Sequence, residues 1–189
     1  MSPARLRGLS ILALLALNAA VVLAWSQGWL DARAEGQRIP VPGSSAGGAT
    51  LPLALSGMVV AAALALAGPV FRVILGILQA LLGVCVAIVA GTALTDPAAA
   101  ARTEVATTTG LVGTGAGVTA DATLWPGAAL ALGVLLAVAG LGILVTARRW
   151  PRTTSRFERN RVTPAEPGGD PIREWDALSG GEDPTTGAR

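Results

Sequence analysis

Four apolar stretches dominate the pattern of hydrophobic and polar positions. They run about 9–26, 51–68, 70–95 and 126–146, and polar segments separate all but the middle two. A helix rises about 1.5 Å per residue, so about 20 apolar residues cross a hydrocarbon core of about 30 Å. Each stretch is near or above that length. Among charged residues, Arg72 alone falls inside one of them, near its end. The pattern predicts an all-α membrane protein of four transmembrane helices in residues 1–147, followed by a tail in 148–189.

The connections differ in kind. Gly68-Pro69 predicts a tight turn, so the second and third stretches should form an antiparallel hairpin. The segment 27–50 is polar and rich in Gly, Ser and Pro. The segment 96–124 is rich in Thr, Ala and Gly and shows no clear helix or strand period over its second half, so it reads as flexible. Within it, Val105-Ala106 and Leu111-Val112 are the positions expected to touch the bundle or the membrane surface.

Small residues recur along two stretches. Gly76, Ala80, Gly83, Ala87 and Gly91 follow helical spacing in the third, and Ala129, Gly133, Ala137 and Gly140 do so in the fourth. In lipid, such faces let helix backbones approach closely. Gly76, Gly83, Gly91, Gly133 and Gly140 are therefore candidate helix-packing positions, with Val86 expected on the outward face. Asn18 and Gln79 lie deep in the spans, where interhelical hydrogen bonding is the simplest role and lining a solute path the sharper one.

Composition agrees with a membrane protein. Hydrophobic residues make up 52% of the 189, charged residues 14%, and mean hydropathy is +0.59. Soluble globular chains carry about 25% charged residues. The sequence pI near 9.9 would suggest nucleic acid in a soluble protein, but every basic residue is Arg and these cluster at span ends, so topology explains them and no nucleic-acid partner is expected.

Arg5, Arg7, Arg72, Arg148, Arg149, Arg152, Arg156, Arg159 and Arg161 fall on one side of a four-span arrangement; Arg33, Arg38 and Arg102 fall on the other. The positive-inside rule then places both termini in the cytoplasm and the protein in the cell (inner) membrane, with the lipid bilayer as its first partner. The first stretch is longer than a signal-peptide core, and the bulky Trp25 is a poor neighbour for cleavage, so it reads as a retained span. Trp25, Trp29, Trp125 and Trp150 bracket the bilayer and read as interfacial anchors, with an aromatic ligand pair at Trp25 and Trp29 as the alternative.

The inventory of reactive side chains argues against an enzyme. The chain has no His, Lys or Tyr and one cysteine, Cys85, which is expected to pack as a small apolar residue. Gly43-Ser44-Ser45-Ala46-Gly47 matches the G-x-S-x-G nucleophile elbow in letters, but lacks a His partner and a strand–turn–helix setting. A P-loop needs a Lys, and a zinc site needs more than one Cys without His. No catalytic residue, metal or cofactor is expected.

The tail changes character partway. Residues 148–161 hold six Arg against one Glu and should lie on anionic headgroups. From 162 onward, Glu166, Asp170, Glu174, Asp176, Glu182 and Asp183 face only Arg173 and Arg189, with Pro164, Pro167, Pro171 and Pro184 interspersed. Such a segment is expected to be mostly disordered when unbound. Trp175 and Leu178 stand three apart, so one helical turn would present both on one face beside Asp176. With Asp183 and Pro184 they form a candidate docking peptide for a soluble cytoplasmic partner.

Trp175-Asp176-Ala177-Leu178, a short Gly-containing spacer, and Asp183-Pro184-Thr185 resemble the C-terminal signature of the actinobacterial tryptophan-associated transmembrane protein family, with Gly180 departing from the charged residue often found there. The resemblance implies an association with tryptophan-biosynthesis genes and no particular activity. The leading expectation is an accessory or scaffold protein with a docking tail. The alternative is a transporter or facilitator of tryptophan, indole or a related small molecule.

Overall fold

The structure, a computed structural model, describes residues 3–34, 36–109 and 118–146. All of them belong to one compact unit, Met1–Arg152. It is mostly helical, with α1 Pro3–Trp25, α2 Gly43–Ala46, α3 Thr50–Leu64, α4 Pro69–Thr95, α5 Pro97–Thr109 and α6 Leu124–Thr146. Strands β1 Gly28–Ala34, β2 Gln37–Pro42 and β3 Thr119–Ala122 complete it.

Among the described residues, three helices carry segments long and apolar enough to cross a membrane: Arg7–Trp25 of α1, Pro69–Thr95 (α4) and Leu124–Val145 of α6. The second apolar stretch forms α3, which at 15 residues covers only about 22 Å. Helix α3 ends before Ala65–Ala67, where the chain loosens ahead of Gly68 and Pro69. Gly68 is extended and Pro69 opens α4, a position where the missing N–H costs nothing.

The long helices pack in a closed ring: α1 against α3 and α6, and α4 against α3 and α6. Leu14, Val21, Ala54, Ala61, Leu64, Val86, Leu136 and Ile143 are buried together where they meet. Val86 therefore faces the interior, contrary to the outward position expected for it. It lies seven residues beyond Gln79 and fourteen beyond Arg72, so all three share the inner face of α4.

The described residues of segment 96–124, which reads as flexible, hold α5 and β3, and the all-α expectation is corrected by a three-stranded antiparallel sheet of order β2-β1-β3. Gly36, at φ +80°, lies in the β1–β2 connection, where a positive φ suits glycine. A register shift between Gly28 and Leu30 lets the consecutive residues Trp29 and Leu30 both turn inward. On β2, Ile39 and Val41 point in while Arg38 and Pro40 point out, and Pro40 is tolerated because β2 is an edge strand.

The alternation is too short, and too rich in Ala and Pro, to stand out from composition alone. Much of the sheet's order comes from packing. Trp29, Leu30, Ala32, Ala34, Ile39 and Val41 share a core with Ala101 and Val105 of α5 and with Ala90, Ala93 and Ala129 of the long helices. Of the apolar positions expected to touch the bundle, Val105 does so, and Leu111-Val112 lie outside the described residues.

Capping residues join this cap to the bundle. Asp96 ends α4 and its Oδ1 accepts from the Ala99 amide at 2.8 Å, so it also opens α5 ahead of Pro97. Thr123 opens α6: its hydroxyl accepts from the Trp125 amide at 3.3 Å and donates to the Gly28 carbonyl at 2.8 Å.

Candidate functional site

The helix interface with the closest backbone approach lies between α4 and α6. A Cβ built on Gly83 would sit 2.5 Å from the Ala137 amide nitrogen and 2.7 Å from the Gly133 carbonyl oxygen. One built on Gly133 would sit 2.7 Å from the Ala87 nitrogen, and one on Gly140 would sit 2.5 Å from the Ala80 nitrogen. Real Cβ atoms do not approach backbone so closely, so these three glycines are required by the helix separation. Gly76 is less tight, with 3.2 Å to the Gly140 carbonyl, and Gly91 meets only the Leu130 side chain at 3.6 Å.

A second close approach lies between α1 and α3. Asn18 is buried and donates from Nδ2 to the Leu14 carbonyl of its own helix at 2.8 Å, and its amide lies where a side chain on Gly57 would otherwise go. Gln79 is different. It is fully enclosed, and neither its Oε1 nor its Nε2 has a hydrogen-bond partner. A buried amide left so is costly, by about 1–3 kcal/mol.

At the cap end, Trp29 is 0% exposed, and its Nε1 donates to the Ala24 carbonyl at 2.8 Å. It is thus a core residue rather than an interfacial anchor, and it is not open to an aromatic ligand. Gly43 and Gly47 lie against its indole: a Cβ on Gly43 would sit 2.6 Å from Nε1, and one on Gly47 2.6 Å from Cζ3. The glycines of the apparent nucleophile elbow are explained by this contact. The serine within it, Ser45, donates to Glu104 Oε2 at 2.5 Å, tying α2 to α5. The i, i+4 glycine pair Gly43/Gly47 was the available signal for this packing, hidden in a Gly-rich loop. Trp25 and Trp125 are half-buried at the same end.

Charge follows the two ends of the bundle. In the cap, the Arg38 guanidinium grips Asp31 with two bonds, at 2.6 and 3.1 Å. This hydrogen bond, more than the Coulombic pull of Arg38 and Arg33, holds the Asp31 carboxyl below its ordinary range. At the other end, Arg7 donates to the Ala65 carbonyl, and Arg72 donates from Nε to the Ala67 carbonyl at 3.0 Å. Arg72, expected to mark a turn, is buried on the first turn of α4.

Cys85 is exposed rather than packed away. It lines an open apolar groove of about 470 Å³ between α3 and α4, with Leu53, Ser56 and Ile88. The candidate docking residues Trp175, Asp176, Leu178, Asp183 and Pro184 lie outside the described residues, as do Trp150 and the basic run. Among the described residues, no cluster of His, Cys, Asp or Glu could hold a metal ion.

A family model described as tryptophan-associated transmembrane protein matches residues 11–185. No curated protein and no solved structure matches the chain.

Proposed function

Since the chain belongs to the tryptophan-associated transmembrane protein family, we propose that it is an accessory or scaffold protein of tryptophan biosynthesis that holds a soluble cytoplasmic partner at the membrane through its tail. The reading is carried by the reach of the family match. It runs through Thr185, well beyond the last apolar helix, and so takes in Trp175, Asp176, Leu178, Asp183 and Pro184. In a polar, Pro-rich segment well past the last apolar stretch in sequence, a tryptophan is not explained by interfacial anchoring. Burial of Trp175 in a partner would supply most of the binding energy.

In this proposal four helices cross the bilayer, the termini are cytoplasmic, and the membrane is the cell membrane. Helix α3 lies beside α1 from the Asn18–Gly57 contact down to Arg7 and Ala65. It thus covers most of the depth of Arg7–Trp25, one of the long apolar segments, and Ala65–Ala67 extend it. The end carrying Arg7 and Arg72 is also the end at which α6 leads into the Arg-rich run.

Affinity capture of the full-length protein should recover a cytoplasmic partner. Trp175→Ala should abolish that recovery, while Thr186→Ala should not. Equal recovery by both variants would refute the docking tail.

The alternative, a facilitator for tryptophan, indole or a related small molecule, is favoured by one observation. Gln79 presents an unpartnered amide on the inner face of α4. Deleting residues 162–189 separates the readings: a facilitator would still move solute, whereas a scaffold would lose its partner.

A further inference from the structure

We propose that the bundle holds a binding site for a small, neutral, mostly apolar molecule that carries a hydrogen-bond donor next to an acceptor, and that the amide of Gln79 is its recognition group. The inference rests on the interior of the bundle and not on the docking tail, and it holds whether or not the molecule is passed across the membrane.

Asn18 and Gln79 are both buried in the bundle, and their amides fare differently. Asn18 donates from Nδ2 to the Leu14 carbonyl of its own helix at 2.8 Å. Gln79 is 0% exposed, yet neither its Oε1 nor its Nε2 has a hydrogen-bond partner. Among the described residues, the next buried polar side chain along α4 is Arg72, seven residues and about 10 Å away. Gln79 thus keeps a planar edge with an acceptor and a donor side by side, at a position where an apolar residue of similar size would carry no such cost.

The surroundings set the chemistry of the ligand. Val86, on the same face of α4, is buried with Leu14, Leu64, Leu136 and Ile143, so the body of the ligand meets aliphatic side chains. None of α1, α3, α4 or α6 contains a carboxylate, so an ammonium group would be buried unpaired, and an uncharged amide cannot neutralise an anion. The ligand is therefore neutral. A ring lactam, whose N–H and C=O lie on one edge, would engage both Gln79 atoms at once. Such a molecule dissolves in hydrocarbon and reaches the bundle from the bilayer. The α4–α6 seam is shut to it by the backbone contact of Gly83 and Gly133. Between α3 and α4, by contrast, the helices already part in the groove of about 470 Å³ lined by Leu53, Ser56 and Cys85. Cys85 lies six residues from Gln79, about 9 Å along α4. Helix α3 turns Ala54, Gly57 and Ala61 inward, small residues that leave little to move aside.

Thermal unfolding of the full-length protein in lipid nanodiscs tests this with three bicyclic probes of similar shape, each at the same mole fraction of the lipid. Oxindole carries a donor and an acceptor, indole a donor alone, and indene neither. Wild type should bind oxindole most tightly and indene about tenfold more weakly, the difference that unmade hydrogen bonds produce. Indole should fall between them, and the rise in midpoint should follow that order. Gln79→Leu should still bind indene and lose the preference for oxindole. Trp175→Ala should respond to the probes as wild type does, so failure of the docking tail and failure of this site are read separately. Equal shifts from all three probes on wild type would overturn the site, as would the same ranking in Gln79→Leu.

Discussion

Gly83 of α4 and Gly133 of α6 meet backbone to backbone: a Cβ on Gly133 would lie 2.8 Å from the Gly83 carbonyl oxygen, and one on Gly83 2.7 Å from that of Gly133. The contact is reciprocal, so neither helix can yield to a side chain on the other without moving away from it.

Replacing Gly83 by Leu should therefore force α4 and α6 apart. Overpacking of this kind costs about 1–3 kcal/mol or more, because the obstacle is backbone. The outward Ile88, 59% exposed, should accept Leu with little change. Thermal unfolding of the two variants in detergent makes the comparison. Equal midpoints would mean that the seam does not hold the bundle.

Trp29→Ala should loosen the cap by about 3–5 kcal/mol, the usual cost of deleting a large buried aromatic. Trp29→Phe should cost less, since the ring still fills the space against Gly43 and Gly47 and only the bond to Ala24 is lost. Limited proteolysis within residues 27–50 reads out both. Cleavage should rise steeply in the first variant and modestly in the second.

Gln79→Leu should raise stability by about 1–3 kcal/mol, because it removes two buried amide atoms that have no partner. Under the scaffold reading, partner capture should be unchanged. Under the facilitator reading, solute uptake should fall while the thermal midpoint rises. Uptake and unfolding measured on the same preparation distinguish the two.

Reporter fusions after residues 40, 70, 110 and 160 should report outside, inside, outside and inside. The fusion at 160 is decisive for the four-span arrangement. External activity there would mean that α3 does not cross or that the orientation is reversed.

Asp31 adds a pH signature to the cap. Its folded-state carboxyl is held below its ordinary range by the Arg38 hydrogen bond, so its contribution is present above its unfolded value of about 4 and fades as pH falls through the lower folded value. Cap stability should be flat from pH 8 to 5 and fall under more acid conditions. Asp31→Asn should flatten the acid limb. Hydrogen exchange of the sheet amides follows both, and an unchanged acid limb in the variant would remove Asp31 from the account.

The bundle could be read from the chain because its signal is long and one-dimensional. Runs of apolar residues reveal long helices, and glycines at helical spacing mark the face on which α4 meets α6. The cap could not be read in the same way. Its order depends on Trp29 reaching Gly43 and Gly47, and on β1 pairing with β3, contacts between residues whose local patterns carry little information. Trp29 departs from its expected anchoring role for a related reason: a tryptophan at the end of a span looks the same in sequence whether its indole N–H meets headgroups or the Ala24 carbonyl. Val86 departs from its expected outward position because the inner face of α4 is broader than its glycine stripe and packs against α3 as well as α6.

The sheet also sets an order of events during synthesis. Strand β1 can pair with β2 as soon as that hairpin has emerged. Its other edge must wait for β3, and the Thr123–Gly28 bond joins residues 95 apart in sequence. Closing so long a loop is slow compared with forming a hairpin. The cap therefore finishes only after α4 has been made, and its completion links the end of the first span to the start of the last. A nascent chain halted before β3 would hold its first helices with an open sheet edge, and the seal would form at the final insertion step.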